Sequence, residues 1–278
     1  MNRAFTLVEP SPPSVGAVPA QAGIQRQGFS LVELSIVLVI LGLLTGGILA
    51  GQSLIRASEL RSITTQLAQY NTAVQAFSEK YDGLPGDLDN AEDFWGEQHA
   101  TPATCRTTAS SGTLTCNGNG DGLVIDNPES NESYRFWQHL VNAGLIEGSY
   151  NGITQGSTAF SSTSANSPAG KISNTLWFAW NWNLGYATGN GSLFSIEYGN
   201  YLLLGAPVAN TLPSGSVLTP AETWNIDTKI DDGKPASGEV VNFYTTACVT
   251  ASSKTDFNAT YSLDDNTKSC HVMFREQF

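Results

Sequence analysis

Apolar residues follow three different rules along this chain. From Leu34 to Ala50 no charged or strongly polar side chain interrupts them, and apolar residues surround the segment on every side. As a helix this run covers about 25 Å, close to the thickness of a bilayer core. The rule then changes with no turn signal between. Leu60, Ile63, Leu67, Tyr70, Val74, Phe77 and Tyr81 recur at three- and four-residue steps, with Arg61, Thr65, Gln66, Gln69, Asn71, Gln75, Glu79 and Lys80 between them. That is the stripe of an amphipathic helix. No proline lies between Phe29 and Leu84, so one helix is predicted from about Ser30 to Lys80, stopped by "DGLPGD" at 82–87.

Beyond that stop the pattern is short and mixed. "NPESNESYRFWQHLVNAGLI" predicts a short helix that starts at the Asn-Pro pair and stops at Gly144. Strands are predicted in "NTLWFAWNW", "LFSIEYGNYLLLG", "EVVNFYTTACVT" and "CHVMFREQF". "TPAETWNIDTKI" opens with a capping box, with Thr219 as cap, Pro220 at the first helical position and Glu222 reaching back. A Ser/Thr/Gly-rich loop at about 151–173 divides this part in two. The expected class is α+β: a long N-terminal helix, half membrane-like and half amphipathic, packed on a C-terminal antiparallel-sheet head. The expected division is 1–28 as leader, 29–81 as helix (29–51 apolar, 52–81 amphipathic) and 82–278 as head.

Composition narrows the function. The chain has 278 residues, 41% of them hydrophobic, and a formal net charge of −12. Such a balance argues against binding DNA or RNA through the phosphate backbone, and against adhesion to an anionic lipid surface. Only 14% of residues are charged, a composition common in exported proteins. Four cysteines admit three connectivities, and four unpaired thiols are the alternative. Cys105–Cys116 and Cys248–Cys270 are the expected pairs, because each closes a local loop. A zinc site is not indicated: there is no CxxC, and His99, His139 and His271 are scattered.

Residues 1–28 contain Arg3, Arg26 and several prolines, with no apolar periodicity. Within them "AFTLVE" at 4–9 echoes "GFSLVE" at 28–33, but it runs into "PSPPS" and cannot continue as a helix. The second copy can. "GFSLVELSIVLVILGLL", a long amphipathic helix and an α+β head together resemble a type IV pilin or a type II secretion pseudopilin. "YDGLPGD", "FWQHLVNAGLI" and "IDTKIDDGKPASGEV" are also similar to segments of a large-headed branch of prepilin-type proteins. The resemblance implies cleavage after Gly28 by a prepilin peptidase and N-methylation of Phe29. It also implies a single-pass inner-membrane anchor with a cytoplasmic N-terminus and a periplasmic head. From there the subunit would enter a periplasmic or cell-surface filament, with other pilin or pseudopilin subunits and an assembly platform protein as partners. Orientation comes from the resemblance, since Arg3 and Arg26 precede the run and Arg56 and Arg61 follow it.

The residues give this resemblance a physical content. A carboxylate inside a membrane helix costs roughly 2.5–3.5 kcal/mol on insertion scales, yet Glu33 stands near the start of this one. Cleavage after Gly28 would free an amine on Phe29, with a pKa near 8. Phe29 and Glu33 then stand at i and i+4 on one helix face. The carboxylate could be neutralised by its own chain end, or by a neighbouring subunit's amine in a filament. In a medium of low dielectric such a pair penalises wrong registers more than it adds stability. Gly42, Gly46, Gly47 and Gly51 form two small-xxx-small patterns that let helices approach. Many major pilins have a proline near the position of Ala50; here Gly46, Gly47 and Gly51 provide softness instead. The alternative from another class is a membrane-tethered extracytoplasmic module that binds glycan or protein and does not polymerise.

Three head segments carry candidate chemistry. "NGNGDG" places Asn117, Asn119 and Asp121 like the opening of a calcium loop, although Pro128 stands where the bidentate glutamate belongs and Glu129 or Glu132 would have to replace it. A plain Asx-rich turn is the competing reading. Asp227, Asp231 and Asp232 form a second calcium candidate, similar to the C-terminal-loop site of some pseudopilins; a turn with solvated charges is the competing reading. Calcium is the only cofactor suggested. "LWFAWNWN" sets Phe178, Trp180 and Trp182 on one strand face and Trp177 on the other. Exposed, they could stack on sugars; burial against the amphipathic helix, where Phe77 and Tyr81 need a partner, is the reading taken. No GxSxG, HExxH or Walker A sequence is present, and the isolated His139 reads as a surface or packing residue, so no enzyme is expected.

Overall fold

The structure is a computed structural model that describes residues 28, 30–127, 130–154, 162–244, 247–275 and 278. Phe29 lies outside the described residues. The chain divides into two units, 1–52 and 53–278. Helix α1 (Leu31–Tyr81, 51 residues) begins in the first and ends in the second.

Within the first unit α1 is long and apolar enough to cross a membrane, and none of that apolar window is buried. Leu31, Leu43 and Leu49 are among many large apolar side chains left open. The hydroxyls of this stretch are satisfied internally. Ser35 donates to the Val32 carbonyl at 2.8 Å, and Thr45 to the Leu41 carbonyl at 2.8 Å. A hydrocarbon environment requires this of every polar group.

The second unit starts with the amphipathic part of α1. Its buried face is Ile63, Gln66, Leu67, Tyr70, Ala73, Val74 and Phe77: the predicted stripe with Ala73 and one polar residue added, and with Leu60 and Tyr81 at its ends only half-buried. Gln66 is buried because it serves three neighbours. Its Oε1 accepts from the Lys171 backbone at 3.1 Å and the Trp177 indole at 3.3 Å, and its Nε2 donates to the Ala169 carbonyl at 3.3 Å. The helix stops at Asp82, which turns to φ 58°, and the chain then reaches Gly86. A side chain at Gly86 would collide with the Glu132 carbonyl, and its φ of 86° suits glycine alone. This is the close approach that "LPG" permits.

The remaining elements are α2 (Ala91–Trp95), α3 (Pro102–Thr107), β1 (Asp126–Asn127), β2 (Ser130–Asn131), α4 (Glu132–Asn142), β3 (Leu176–Trp182), α5 (Leu184–Gly189), β4 (Gly199–Gly205), α6 (Pro220–Ile230), β5 (Val240–Val241) and β6 (Val272–Arg275). The four-stranded sheet has the order β3-β4-β6-β5 and every pairing is antiparallel. The α+β expectation holds. Three boundaries differ from prediction. Of "LFSIEYGNYLLLG" only the second half pairs, as β4, since its first six residues lie outside the sheet. Helix α4 starts at Glu132, because a short hairpin of β1 and β2 precedes it. Among the described residues of "EVVNFYTTACVT" only Val240 and Val241 pair as a strand, opposite Phe274 and Met273.

Both faces of the sheet are covered, which is why β3 and β4 are apolar almost without alternation. One face, with Trp177, Ala179, Leu202, Leu204 and Phe274, joins the core that α1 enters. Tyr70 meets Trp137 and Trp177 edge-on at 5.1 and 5.4 Å. The other face, with Phe178, Trp180, Trp182, Tyr201 and Met273, forms a second core with Tyr134, Leu193 and Tyr198. The three aromatics expected against the amphipathic helix therefore lie on the opposite side, and Trp177 takes that place. Phe77 and Tyr81 pack on Trp95, and Phe77 stacks on His139.

Candidate functional site

The N-terminal end of α1 is built by four residues. Ser30 precedes the first helical residue, and its carbonyl accepts the Leu34 N–H at 3.0 Å. Its hydroxyl accepts the Val32 N–H at 3.3 Å. Glu33 reaches back, and its Oε2 accepts the Ser30 N–H at 2.9 Å. This is a capping arrangement with the S-x-x-E spacing, in which side chains satisfy N–H groups that the helix leaves open. The signal stands in the sequence at 30–33. Sequence reasoning read it at Thr219 and passed over it here.

The cap fixes where the Glu33 carboxylate sits. It is bound to the N–H of Ser30, one residue from the Gly28–Phe29 bond. Were the chain to begin at Phe29, Ser30 would carry its first peptide N–H, with the free amine one residue before it. The carboxylate is thus already held at the chain end where a positive charge would appear. Among the described residues no cation contacts Glu33. The glycines further along have no internal explanation. A Cβ added at Gly42, Gly46, Gly47 or Gly51 would meet nothing within 4 Å. Each such glycine weakens an exposed helix by about 1 kcal/mol relative to alanine. Among the described residues nothing packs there to offset that cost; helices that pack closely through small residues are one arrangement that would.

The head contains the other candidates. Both expected cysteine pairs are joined, Cys105–Cys116 and Cys248–Cys270, and no described cysteine is free. The loop closed by the first is tied to α4 by Arg135. Its guanidinium donates to Ser110 Oγ at 2.6 Å, Gln138 Oε1 at 2.8 Å and the Cys105 carbonyl at 3.1 Å. His139 is fully buried beside it. Its Nδ1 accepts the Gly86 N–H at 3.0 Å and its Nε2 faces Thr115 Oγ1 at 2.9 Å. Burial and the nearby Arg135 push this imidazole down to about 3, so it stays neutral; of the surface and packing roles expected for it, it takes the packing one.

In "NGNGDG" the side-chain oxygens face backbone donors of α2 and of the loop itself. Asn117 Oδ1 accepts the Glu92 N–H, Asn119 Oδ1 that of Asp121, and Asp121 Oδ1 that of Leu123. Three of the loop's N–H groups, that of Asp121 being shared with Asn119, converge on an internal anion. Asp87 accepts from Gly120, Asp121 and Gly122 at 2.8, 3.1 and 2.8 Å. This is an anion-binding concavity filled by the protein's own carboxylate. Asp87 carried no signal in the sequence beyond its place in "LPGD".

Asp227, Asp231 and Asp232 do come together, one carboxylate oxygen from each within 4.8 Å of the others. Asp227 is buried on α6, where its Oδ1 accepts the Gly233 N–H at 2.8 Å and its Oδ2 the Tyr261 hydroxyl at 2.7 Å. Asp231 accepts the Val240 N–H at 3.1 Å and also that of Glu239. Burial first, then the facing Asp231, push the Asp227 carboxyl up to about 8. The arrangement can hold one proton between two carboxyls, or a divalent cation among oxygens. The Cys248–Cys270 loop brings Tyr261 into this cluster, and Cys270 pairs with Leu218 immediately before the α6 cap.

Residues 25–49 match the model of the prokaryotic N-terminal methylation motif. The chain therefore carries the prepilin-type processing signal of type IV pilins and pseudopilins. With the apolar helix that follows, it supports a pilin-like or pseudopilin subunit, a structural role rather than an enzymatic one. No curated protein and no solved structure shows significant similarity to the chain.

Proposed function

We propose that this chain is a prepilin-type subunit, cleaved after Gly28, methylated on Phe29, held in the inner membrane by the apolar part of α1, and assembled into a filament through it. The observation that carries this is the Glu33 carboxylate, fixed at the Ser30 N–H within a methylation motif and at the head of an unburied apolar helix. Its counter-charge is the amine that processing creates. In the filament each carboxylate meets a neighbour's amine and so sets the register, while the glycine stripe allows close packing. Prepilin peptidase, other pilin-type subunits and an assembly platform are the partners, and the head lies in the periplasm or on the filament surface. Both cysteine pairs suit such an oxidising compartment. Mass spectrometry of the chain isolated from membranes tests the reading. A first residue of N-methylated Phe29 supports it; an intact leader replaces it with the tethered, non-polymerising module.

Calcium belongs to this reading at Asp227, Asp231 and Asp232. The ion would replace the proton shared there and join the α6 terminus to β5. Thermal melting of the chain with and without millimolar calcium tests it, and an unchanged midpoint removes calcium from the account.

A further inference from the structure

The head carries two surface patches of opposite charge, and each lacks a partner within the molecule. The first is a groove of about 410 Å³ between α6 and the amphipathic part of α1, with Ala57, Leu60 and Ile226 in its lining. Arg61 and Lys229 line it from opposite helices. Both are exposed, and among the described residues neither side chain makes a hydrogen bond or ion pair. The nearby acids Glu59 and Glu222 are engaged by Arg56, at 2.9 and 2.6 Å. Two cations therefore stand uncompensated beside an apolar furrow, in a chain whose net charge is −12.

The second patch is the complement of the first. Phe94 on α2 is 50% exposed, more than any other phenylalanine or tryptophan among the described residues. It stands edge-on to Tyr81 at 4.9 Å, with Trp95 beside it. Asp93 and Glu97 flank it, both exposed, and neither carboxylate makes a hydrogen bond or ion pair among the described residues. Burial, and then the like charges of Glu97 and Asp93, raise the neighbouring Glu92 carboxyl above its ordinary value, which places these acids in one patch. Lys80 does not neutralise them; it lies over the Tyr81 ring at 4.8 Å. Phe257 and Leu263 are exposed as well, but Asp256 beside one accepts from Ser252 and Asp265 beside the other from Thr267, so neither offers a free pair of carboxylates. The groove cannot receive its own Phe94. Arg61 and Tyr81 stand 20 residues apart on α1, roughly 30 Å of helix. We infer that the groove binds a second copy of this chain, Phe94 of one copy entering between α1 and α6 of the next, with Asp93 and Glu97 against Arg61 and Lys229. The buried aromatic anchors such a contact, and the charges around it fix its orientation. Groove and knob are different patches, so the contact is heterologous and can repeat from copy to copy. The inference rests on the filament reading for that repetition, whereas the pairwise contact requires neither cleavage nor methylation.

The test follows self-association of the full chain by sedimentation in a mild nonionic detergent. Arg61→Glu/Lys229→Glu and Asp93→Lys/Glu97→Lys should each weaken association at least tenfold. Their melting midpoints should stay at the parental value, because none of the four side chains bonds within the fold. The variant that carries all four reversals should associate as the parent does. If either pair leaves association unchanged, or the fourfold variant fails to recover it, the inference is overturned. Cross-linking reads the direction of the contact. Ala57→Cys and Asn90→Cys leave the knob and the charges in place, and a short bis-maleimide should join the two variants when they are mixed and neither variant to itself. Dimers of Ala57→Cys alone, or no product in the mixture, overturn the head-to-tail contact. Filaments sheared from cells separate the two readings. Parental filament yield from both charge-reversed pairs refutes the contact and leaves the filament reading standing. The expected cross-link in chains from cells that make no filaments supports the contact and refutes the filament reading.

Discussion

Ser30–Glu33 and Thr219–Glu222 carry the same capping pattern and complete it differently. At α6 the box is closed within the fold: Thr219 N–H donates to Glu222 at 2.9 Å, and Glu222 N–H to the Thr219 hydroxyl at 3.3 Å. Arg56 then binds Glu222 through two guanidinium nitrogens, at 2.6 and 2.8 Å. Burial alone would raise the Glu222 carboxyl, but the Arg56 and Thr219 hydrogen bonds outweigh it and hold it below the usual range. At α1 the glutamate makes the same backward bond at 2.9 Å and finds no cation among the described residues. One motif is finished by folding. The other is left with a carboxylate in an apolar helix, and processing would finish it. Local capping chemistry therefore does not separate a glutamate that serves the fold from one proposed to serve assembly; among the described residues what differs is the counter-ion, Arg56 at Glu222 and none at Glu33.

The largest effect expected from breaking this comparison is at Glu33. The substitution Glu33→Gln keeps an oxygen to accept the Ser30 N–H and removes only the charge. Filaments sheared from cells should fall by at least tenfold, while the variant still fractionates with membranes. Parental filament yield would show that the carboxylate is a cap and nothing more. Next in size is the removal of Cys248–Cys270 by paired serine substitution. Disulfides of this kind contribute about 2–5 kcal/mol, and this one also places Tyr261 on Asp227. The variant's melting midpoint should drop well below that of the parent, and its response to pH should weaken.

That response follows from Asp227. Its carboxyl is raised to about 8 in the fold and returns to an ordinary value when unfolded. The folded chain then binds the extra proton, so the stabilisation is complete below about pH 4, declines as pH rises, and is gone above about pH 8. The melting midpoint should fall steadily between pH 5 and 8 and then level off. Asp227→Asn should flatten this profile while keeping an oxygen for Tyr261. A midpoint that rises with pH over this range, in the parent but not the variant, contradicts the proton-sharing pair.

The sequence made some of these features readable and concealed others. The α1 stripe from Ile63 to Phe77 was legible because burial on one helix face leaves a period near 3.6. Its polar exception, Gln66, was not, since its burial depends on Lys171 and Trp177, far along the chain. The "LWFAWNW" strand was legible as a strand. Which face would meet α1 was not, because both faces are buried and alternation disappears. Helices α2, α3 and α5 are too short to show a period. "NGNGDG" reads as a cation loop only when Asp87 is out of view, because the oxygens that suggest ligands are engaged by neighbouring N–H groups. The cap at Ser30 needed no distant contact. A four-residue capping signal is simply outweighed by the long apolar run that directly follows it.

Two smaller substitutions sharpen the opening comparison. Glu222→Gln should cost about 1–2 kcal/mol, since it keeps the box and weakens a charge-assisted bond to Arg56. Filament yield should stay at the parental level, because that pair is internal to the fold. Ser30→Ala is smaller still. Loss of a cap hydroxyl costs about 0.5–2 kcal/mol of helix stability, and here it acts only on the first turn of α1, since the Glu33 bond to the Ser30 N–H survives. Filament yield should fall by no more than a few-fold, far less than in Glu33→Gln. If instead Ser30→Ala abolishes filaments while Glu33→Gln leaves them intact, it is the shape of the first turn that governs assembly, and the missing counter-ion has no role in it.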